Sequence, residues 1–135
     1  MSFGESVRTC FSRYATFTGR ASRAEFWWFY LFVAIVNLVL AVPYYGLAIA
    51  ASLVTDSSAG SAMLIASSVW LLIWLVVSIA LFIPFLAAGC RRLHDSGKSG
   101  WLLLLFLVPC GGIALLVMWI LEGTPGENFF GLPPS

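Results

Sequence analysis

A polar island divides this chain, and it reads Arg91-Arg92-Leu93-His94-Asp95-Ser96-Gly97-Lys98-Ser99-Gly100-Trp101. It contains two adjacent arginines together with the only histidine and the only lysine of the sequence. The apolar segment on each side is long enough to cross a membrane. The island therefore separates two membrane-embedded parts, and we expect any activity beyond residence in a bilayer to involve it.

The composition supports a membrane location. The 135 residues are 61% hydrophobic and 10% charged, with a mean hydropathy of +0.97. A soluble domain of this size could not bury so much apolar surface. The net charge of +1 does not indicate a nucleic-acid partner. Cys10, Cys90 and Cys110 are odd in number and lack a C-x-x-C pair, so we interpret them as packing residues.

The N-terminal region predicts an amphipathic helix over residues 3–17. Its apolar residues recur at intervals of three and four and fall on one face, while polar residues occupy the other. An aromatic face with arginines opposite it suits either the headgroup boundary or the flank of the protein's own helical bundle. Both placements remain open from the sequence.

A second helix is predicted to begin near Ser22. Ser22 and Glu25 match the capping box, in which the Glu25 carboxylate would accept from the Ser22 amide. Five aromatic residues at 26–30 then form an interfacial belt, and the first span extends over 26–54. Asn37 lies near its middle, so we expect a structural partner for its amide on another helix, in preference to a transport site.

The remaining chain predicts two further spans, at 62–88 and 101–121, joined by a polar loop at 89–100. The last span contains Pro109-Cys110-Gly111-Gly112, which favours a kinked full span over a re-entrant loop. The tail, 122–135, is rich in glycine and proline and predicts turns. The expected fold is a single all-α membrane domain over 1–135, with about three transmembrane helices and an N-terminal amphipathic interfacial helix.

The basic residues predict the orientation. In the three-span arrangement all seven lie on one side, which the positive-inside rule assigns to the cytoplasm. The N-terminus and the island would then be cytoplasmic and the tail external. A re-entrant third segment would return the tail to the cytoplasm without changing this count.

No reaction is evident in the island. Gly97-Lys98-Ser99 lacks the earlier glycine and the preceding strand of a phosphate-binding loop. His94, Asp95 and Ser96 supply the residue types of a hydrolytic triad, but adjacent side chains diverge. Too few other ligands lie nearby for a metal site. We therefore predict no catalytic, cofactor-binding or metal-binding residue, and no enzyme.

Two compatible interpretations of the polar residues remain. In the structural one, Arg91 and Arg92 anchor the second span, Asp95-Ser96-Gly97 forms a turn, and Ser99 or Ser96 caps the next helix. In the functional one, basic residues converge on a cytoplasmic face that binds anionic lipid headgroups or an acidic partner segment, with acidic residues orienting the guanidinium groups. The candidate binding residues are Arg20, Arg23, Glu25, Arg91, Arg92, His94, Asp95 and Lys98.

Three motifs carry a family resemblance: Phe17-Thr18-Gly19-Arg20-Ala21-Ser22-Arg23-Ala24-Glu25-Phe26-Trp27, the island Arg91–Trp101, and Gly123-Thr124-Pro125-Gly126-Glu127-Asn128 with Phe130-Gly131. In this order they resemble the signatures of the YhaH/YhaI-like bacterial inner-membrane proteins, known as domain of unknown function 805. The resemblance implies a small multi-spanning protein of the bacterial cytoplasmic membrane. It implies no activity.

The expected function is a non-enzymatic membrane module that binds anionic lipid or a partner protein through its basic face. The alternative is a subunit of a small oligomeric transporter or channel, suggested by Asn37, the serines of the second span and the interrupted third segment. Because three helices hardly enclose a path, the alternative requires a homo-oligomer.

Overall fold

The computed structural model describes residues 1–134 and is helical throughout its regular structure. The elements are α1 (Phe3–Ser12), α2 (Arg23–Leu53), α3 (Ser57–Asp95), the 3-10 helix η1 (Gly100–Leu107) and α4 (Gly111–Ile120). The chain forms two compact units. The first, called the end unit, comprises Met1–Leu31 and the chain from Phe82 onward, and the second comprises Phe32–Leu81.

Helix α1 is shorter than the predicted 3–17. Ser2 and Glu5 form a complete capping box at its start. The helix ends at Ser12. The Arg91 guanidinium donates hydrogen bonds to Arg13 O at 3.3 Å and to Thr16 O at 2.7 Å. Since these carbonyls bind a side chain, the segment after Ser12 turns away from the helical path.

Helices α2 and α3 are the two elements long and apolar enough to cross a membrane. At 1.5 Å per residue their 31 and 39 residues extend about 46 and 58 Å, more than the roughly 30 Å of a hydrocarbon core. Each contains one proline, Pro43 in α2 and Pro84 in α3. The predicted start of α2 near Ser22 is confirmed within one residue.

The interpretation of 89–100 as a polar loop is wrong for its first seven residues, because α3 continues to Asp95. A Schellman motif ends the helix. Gly97 adopts a φ of +72°, its amide donates to His94 O at 3.0 Å, and the Lys98 amide donates to Leu93 O at 2.9 Å. The first five residues of the island, Arg91–Asp95, are thus the end of a long helix.

The third segment is not the predicted kinked full span over 101–121. It consists of η1 and α4, eight and ten residues long, which pack against each other. Neither is long enough to cross a membrane. Cys110 has a φ of +63° between the two helices, and Gly111 lies so close to the Leu105 carbonyl that a Cβ would collide with it. This turn folds the segment into a hairpin.

Both ends of the hairpin lie at the carboxyl end of α3. Ser99 caps η1, and its hydroxyl accepts from the Trp101 amide. Of the two predicted caps, Ser99 and Ser96, the structure therefore has Ser99. At the other end the Thr124 amide donates to Asp95 O at 2.8 Å. The tail therefore returns to the polar island, which corrects the expectation that it lies on the opposite side. Ser135, the last residue of the predicted 122–135 tail, is outside the described residues.

The second unit contains the partner expected for Asn37. Its Oδ1 accepts from Trp74 Nε1 at 2.9 Å and from Ser78 Oγ at 3.0 Å, while its Nδ2 donates to Val33 O within α2. Trp70 Nε1 also donates to Leu40 O at 2.7 Å. These bonds join α2 and α3 inside this unit, so Asn37 has the structural partners on another helix that were expected.

Candidate functional site

Five charged side chains of the end unit form a buried group, which we call the ionic cluster. They come from the loop before α2, the first turn of α2 and the last turn of α3. Arg91 and Arg92 are completely buried, and the other three are at most 5% exposed. The members are Arg20, Glu25, Arg91, Arg92 and Asp95. Charges at this depth require partners, and the structure provides them.

Arg91 and Glu25 form the first ion pair of the cluster, 2.8 Å between Nη2 and Oε1. Glu25 was expected to complete a capping box with Ser22, but only half of that box is present. The Glu25 amide donates to Ser22 Oγ at 3.1 Å, whereas the Glu25 carboxylate turns to Arg91. The Ser6 hydroxyl of α1 donates to Glu25 O at 2.5 Å, which joins α1 to the same corner.

Asp95 forms the centre of the second part of the cluster. Its carboxylate pairs with Arg20 at 2.9 Å and with Arg92 one turn earlier on α3. A carboxylate at the carboxyl end of a helix is opposed by the helix dipole. The two guanidinium groups offset this cost, since charge-assisted hydrogen bonds are about twice as strong as neutral ones.

The remaining donors of these arginines hold the hairpin and the tail. Arg92 Nε donates to Trp119 O at 3.0 Å, and its Nη2 donates to Leu121 O. Arg20 donates to Thr124 O at 2.6 Å and to Gly126 O at 2.7 Å. The cluster thus binds backbone carbonyls from segments that are distant in sequence.

The tail in turn caps α3. The last carbonyls of a helix lack intrahelical partners. His94 O accepts from Asn128 Nδ2 at 2.9 Å, and Asp95 O accepts from the Thr124 amide. Gly123 lies against the Asp95 carboxylate so closely that a Cβ would collide with it. The tail is therefore a docked segment and not only a series of turns.

The basic surface predicted from the sequence is only partly present. Arg20, Arg91 and Arg92 are inside the ionic cluster. Within residues 1–134, protein acceptors bind each of their side-chain nitrogens except Arg91 Nε, which is buried without a hydrogen-bond partner. Arg23 is half-exposed and 3.5 Å from an exposed carboxylate, that of Glu122. Lys98 is half-buried beyond the end of α3. The expectation that all five cations form one open anion-binding face is corrected, because a buried arginine paired with protein carboxylates is not free to bind an external anion.

His94 lies beside the cluster in different surroundings. Its Nδ1 is 3.1 Å from Gly19 O, its Nε2 is 3.6 Å from Cys90 Sγ, and its ring stacks on Phe130 with centroids 3.9 Å apart. Cys90, His94 and Phe130 border an apolar cavity of about 520 Å³. The prediction that Cys90 is only a packing residue overlooks this contact. The signal available in the sequence was its spacing of four residues from His94 on a helix.

Cys10 of α1 is adjacent to the ionic cluster, with its sulfur 4.0 Å from Glu25 Oε1. Burial, reinforced by the Glu25 charge, raises the pKa of the Cys10 thiol to about 12. The thiol is therefore protonated at neutral pH and unreactive. Among residues 1–134 there is no group of three or more His, Cys, Asp or Glu side chains that could hold a metal ion.

The family described as "Protein of unknown function (DUF805)" matches residues 14–132, which include every member of the ionic cluster. The chain belongs to the DUF805 family. This agrees with the resemblance noted in its three motifs.

Two curated DUF805 relatives are inner membrane proteins of Escherichia coli K12. The chain is 38% identical to "Inner membrane protein YhaI" over 123 residues, which are 90% of this chain and 88% of that protein. It is 34% identical to "Inner membrane protein YhaH" over 123 residues, 90% of this chain and 89% of that protein. No solved structure is significantly similar to it. This DUF805 chain is an integral membrane protein with transmembrane helices.

Proposed function

We propose that this protein is a non-enzymatic module of the bacterial cytoplasmic membrane whose end unit binds anionic lipid headgroups. In this proposal α2 and α3 cross the bilayer, and the N-terminus, the ionic cluster and the tail face the cytoplasm. The positive-inside rule supports the orientation. All seven basic residues belong to the end unit, and none lies in the connection between α2 and α3.

One observation carries the proposal: the four cations outside the ionic cluster belong to the same compact unit as the cluster. Arg8 and Arg13 come from α1 and its C-cap, Arg23 from the start of α2, and Lys98 from the turn after α3. Contacts between Phe3 and Trp28 and between Phe11 and Phe29 pack α1 against the first turns of α2. We call these four cations the peripheral cations.

Exposed aromatic residues accompany the peripheral cations. Four large apolar side chains of the end unit are 39–80% exposed: Phe3, Phe11, Trp28 and Trp101. Aromatic rings and basic side chains together are typical of the membrane–water interface, where rings enter the headgroup layer and cations attract anionic lipid. The ionic cluster then has a structural part, since it fixes the elements that present the peripheral cations.

Removal of the peripheral cations is expected to weaken binding of phosphatidylglycerol. Each cation near a membrane surface contributes about 1 kcal/mol, so we expect roughly fivefold weaker binding for each of Arg8→Gln, Arg13→Gln, Arg23→Gln and Lys98→Gln, with the losses combining. A titration of the purified protein in mild detergent with fluorescent phosphatidylglycerol, and with phosphatidylcholine as the neutral lipid, measures this.

The matched control is the triple variant Arg8→Lys, Arg13→Lys and Arg23→Lys, which keeps the charge and is expected to keep the preference for phosphatidylglycerol. Equal binding of both lipids by the unmodified protein would refute the proposal. So would a glutamine variant that keeps its lipid preference but loses a co-purifying protein, which would indicate a partner protein in place of lipid.

A small oligomeric transporter or channel is the second candidate, favoured by the hairpin of η1 and α4. Interrupted segments of this kind occur in transporters, where they line substrate sites. The other features that suggested transport have local partners. Asn37 bonds to α3, and Ser67 and Ser68 donate to Leu64 O on their own helix.

A further inference from the structure

The end unit contains a cavity whose chemistry the ionic cluster does not use. Its volume is about 520 Å³, within the range of small-molecule sites. The lining is mostly apolar and includes Phe17, Trp101, Leu103, Leu104 and Phe130. Two groups with reactive potential, Cys90 and His94, are also part of the wall.

Cys90 and His94 are arranged as a nucleophile and a base. They occupy positions i and i+4 of α3, and Sγ is 3.6 Å from Nε2. Gly19 O accepts a hydrogen bond from His94 Nδ1 at 3.1 Å, so in the neutral ring the proton is on Nδ1 and the lone pair is on Nε2. The lone pair therefore faces the Cys90 sulfur, whose S–H group also has Phe17 O as an acceptor at 3.5 Å.

Two contacts fix the histidine ring in that orientation, and a glycine leaves room for the Cys90 sulfur. The Gly19 carbonyl holds one edge, and Gly19 itself has a φ of +85°, a conformation that favours glycine. Phe130 stacks on the ring face with an interplanar angle of 3°. Gly100 lies against Cys90 Sγ, where a Cβ would collide with the sulfur. A nucleophile, a base and a group that orients the base are the usual elements of an activated nucleophile.

We infer that Cys90 is an acyl-acceptor site, to which the cavity directs the carbonyl of a long-chain acyl thioester. The apolar wall suits an alkyl chain, and the Cys90–His94 pair is the polar part at which the carbonyl would lie. This inference does not depend on binding of anionic lipid by the peripheral cations.

The reaction is a thioester exchange that needs no oxidant. The Cys90 sulfur attacks the thioester carbonyl carbon, and its proton passes to His94 Nε2. A bond between Sγ and the carbonyl carbon forms, and the bond between that carbon and the leaving sulfur breaks. The proton on Nε2 then passes to the leaving thiolate, which departs as a free thiol. The product is Cys90 carrying the acyl group as a thioester.

The other two cysteines serve as internal comparisons. Cys10 and Cys90 are both buried, but only Cys90 lies beside a histidine. Cys110 is exposed in the turn between η1 and α4. Reaction at Cys90 in preference to the more accessible Cys110 is therefore evidence for the His94 pair and the cavity, since simple exposure would favour Cys110.

The test uses the full-length protein in lipid nanodiscs with alkyne-tagged palmitoyl-CoA as the probe. We expect one hydroxylamine-sensitive acyl group per chain, unchanged in Cys110→Ser and absent in Cys90→Ser. His94→Asn can keep a donor to Gly19 O but has no base at Nε2, so we expect acylation about 100-fold slower. Acetyl-CoA is expected to react more slowly than palmitoyl-CoA, because its acyl group cannot occupy the apolar cavity.

Leu104→Trp gives a second measurement that leaves Cys90 and His94 intact. Leu104 lines the cavity and is 55% exposed, so a larger side chain there is expected to reduce reaction with palmitoyl-CoA more than reaction with acetyl-CoA. Acylation that persists in Cys90→Ser, or that occurs at Cys110 instead, would overturn the inference. So would a folded His94→Asn variant that reacts at the original rate, or an unmodified protein that stays unacylated.

Discussion

Replacement of Arg91 by glutamine is expected to destabilise the protein by about 3–5 kcal/mol. The substitution leaves Glu25 as an uncompensated charge in a site where both side chains are at most 3% exposed. It also removes charged donors from the carbonyls of Arg13 and Thr16, which fix the path after α1. Thermal unfolding in mild detergent, followed by tryptophan fluorescence, measures the loss.

Arg23→Gln is the matched control for Arg91→Gln. Arg23 also pairs with a glutamate, but its side chain is 48% exposed and that of Glu122 is 89% exposed. Screening by water limits such a pair to about 0–1 kcal/mol. The double variant Glu25→Gln with Arg91→Gln is expected to recover part of the stability, because no buried charge is left unpaired. Equal unfolding temperatures for Arg91→Gln and Arg23→Gln would contradict the buried pair.

Replacement of Asp95 by asparagine is expected to cost a similar 3–5 kcal/mol and to release the tail. The shape of the side chain is kept, but Arg20 and Arg92 lose their common counter-charge inside the protein. Arg20 is also the donor to Thr124 O and Gly126 O, so its displacement loosens the tail. Cleavage after Glu127 by a glutamate-specific protease is expected to be at least tenfold faster.

Asp56→Asn is the control for the loss of a carboxylate. Asp56 is exposed and accepts from the amide and hydroxyl of Ser58 at the start of α3. Asparagine is an equally good cap, so we expect little change in stability or in cleavage at Glu127. If Asp95→Asn and Asp56→Asn were cleaved at the same rate, Asp95 would not hold the tail.

The helical membrane architecture was predictable because it depends on local composition. The apolar runs, the aromatic belt at 26–30 and the basic residues are all visible over short windows. The end of α3 was predictable in principle as well. Arg92 and His94 followed by Gly97 match the sequence pattern of a helix C-terminus. The polarity of residues 91–95 suggested a loop in place of a helix end. Polar residues can continue a helix, however, when their charges form buried ion pairs.

The ionic cluster was not predictable in its detail, because its pairs join residues far apart in sequence. Arg91 and Glu25 are separated by 66 positions, and Arg20 and Asp95 by 75. Proximity of arginines in the sequence suggested a common basic surface. Whether an arginine faces an external anion or an internal carboxylate depends on the tertiary fold, which places Glu25 and Asp95 next to these guanidinium groups.

The hairpin of η1 and α4 corresponds to the re-entrant loop, which the sequence favours less than a kinked full span. Pro109, Cys110 and the two following glycines are compatible with a kink and with a turn, so local sequence does not separate them. The contacts that decide for the turn are those of Arg92 with Trp119 O and Leu121 O. They bring the end of α4 back to the last turn of α3.

The measurement that tests this account most directly is cysteine accessibility in intact cells, with the three native cysteines replaced. Single cysteines are placed at Thr55, in the connection between α2 and α3, at Ser96, in the island, and at Glu127, in the tail. A membrane-impermeant maleimide is expected to label Thr55→Cys from outside. Ser96→Cys and Glu127→Cys are expected to be labelled only after permeabilisation, because the hairpin returns the tail to the side of the island. Labelling of Glu127→Cys from outside while Ser96→Cys stays protected would contradict the account, since the segment between them would then cross the membrane.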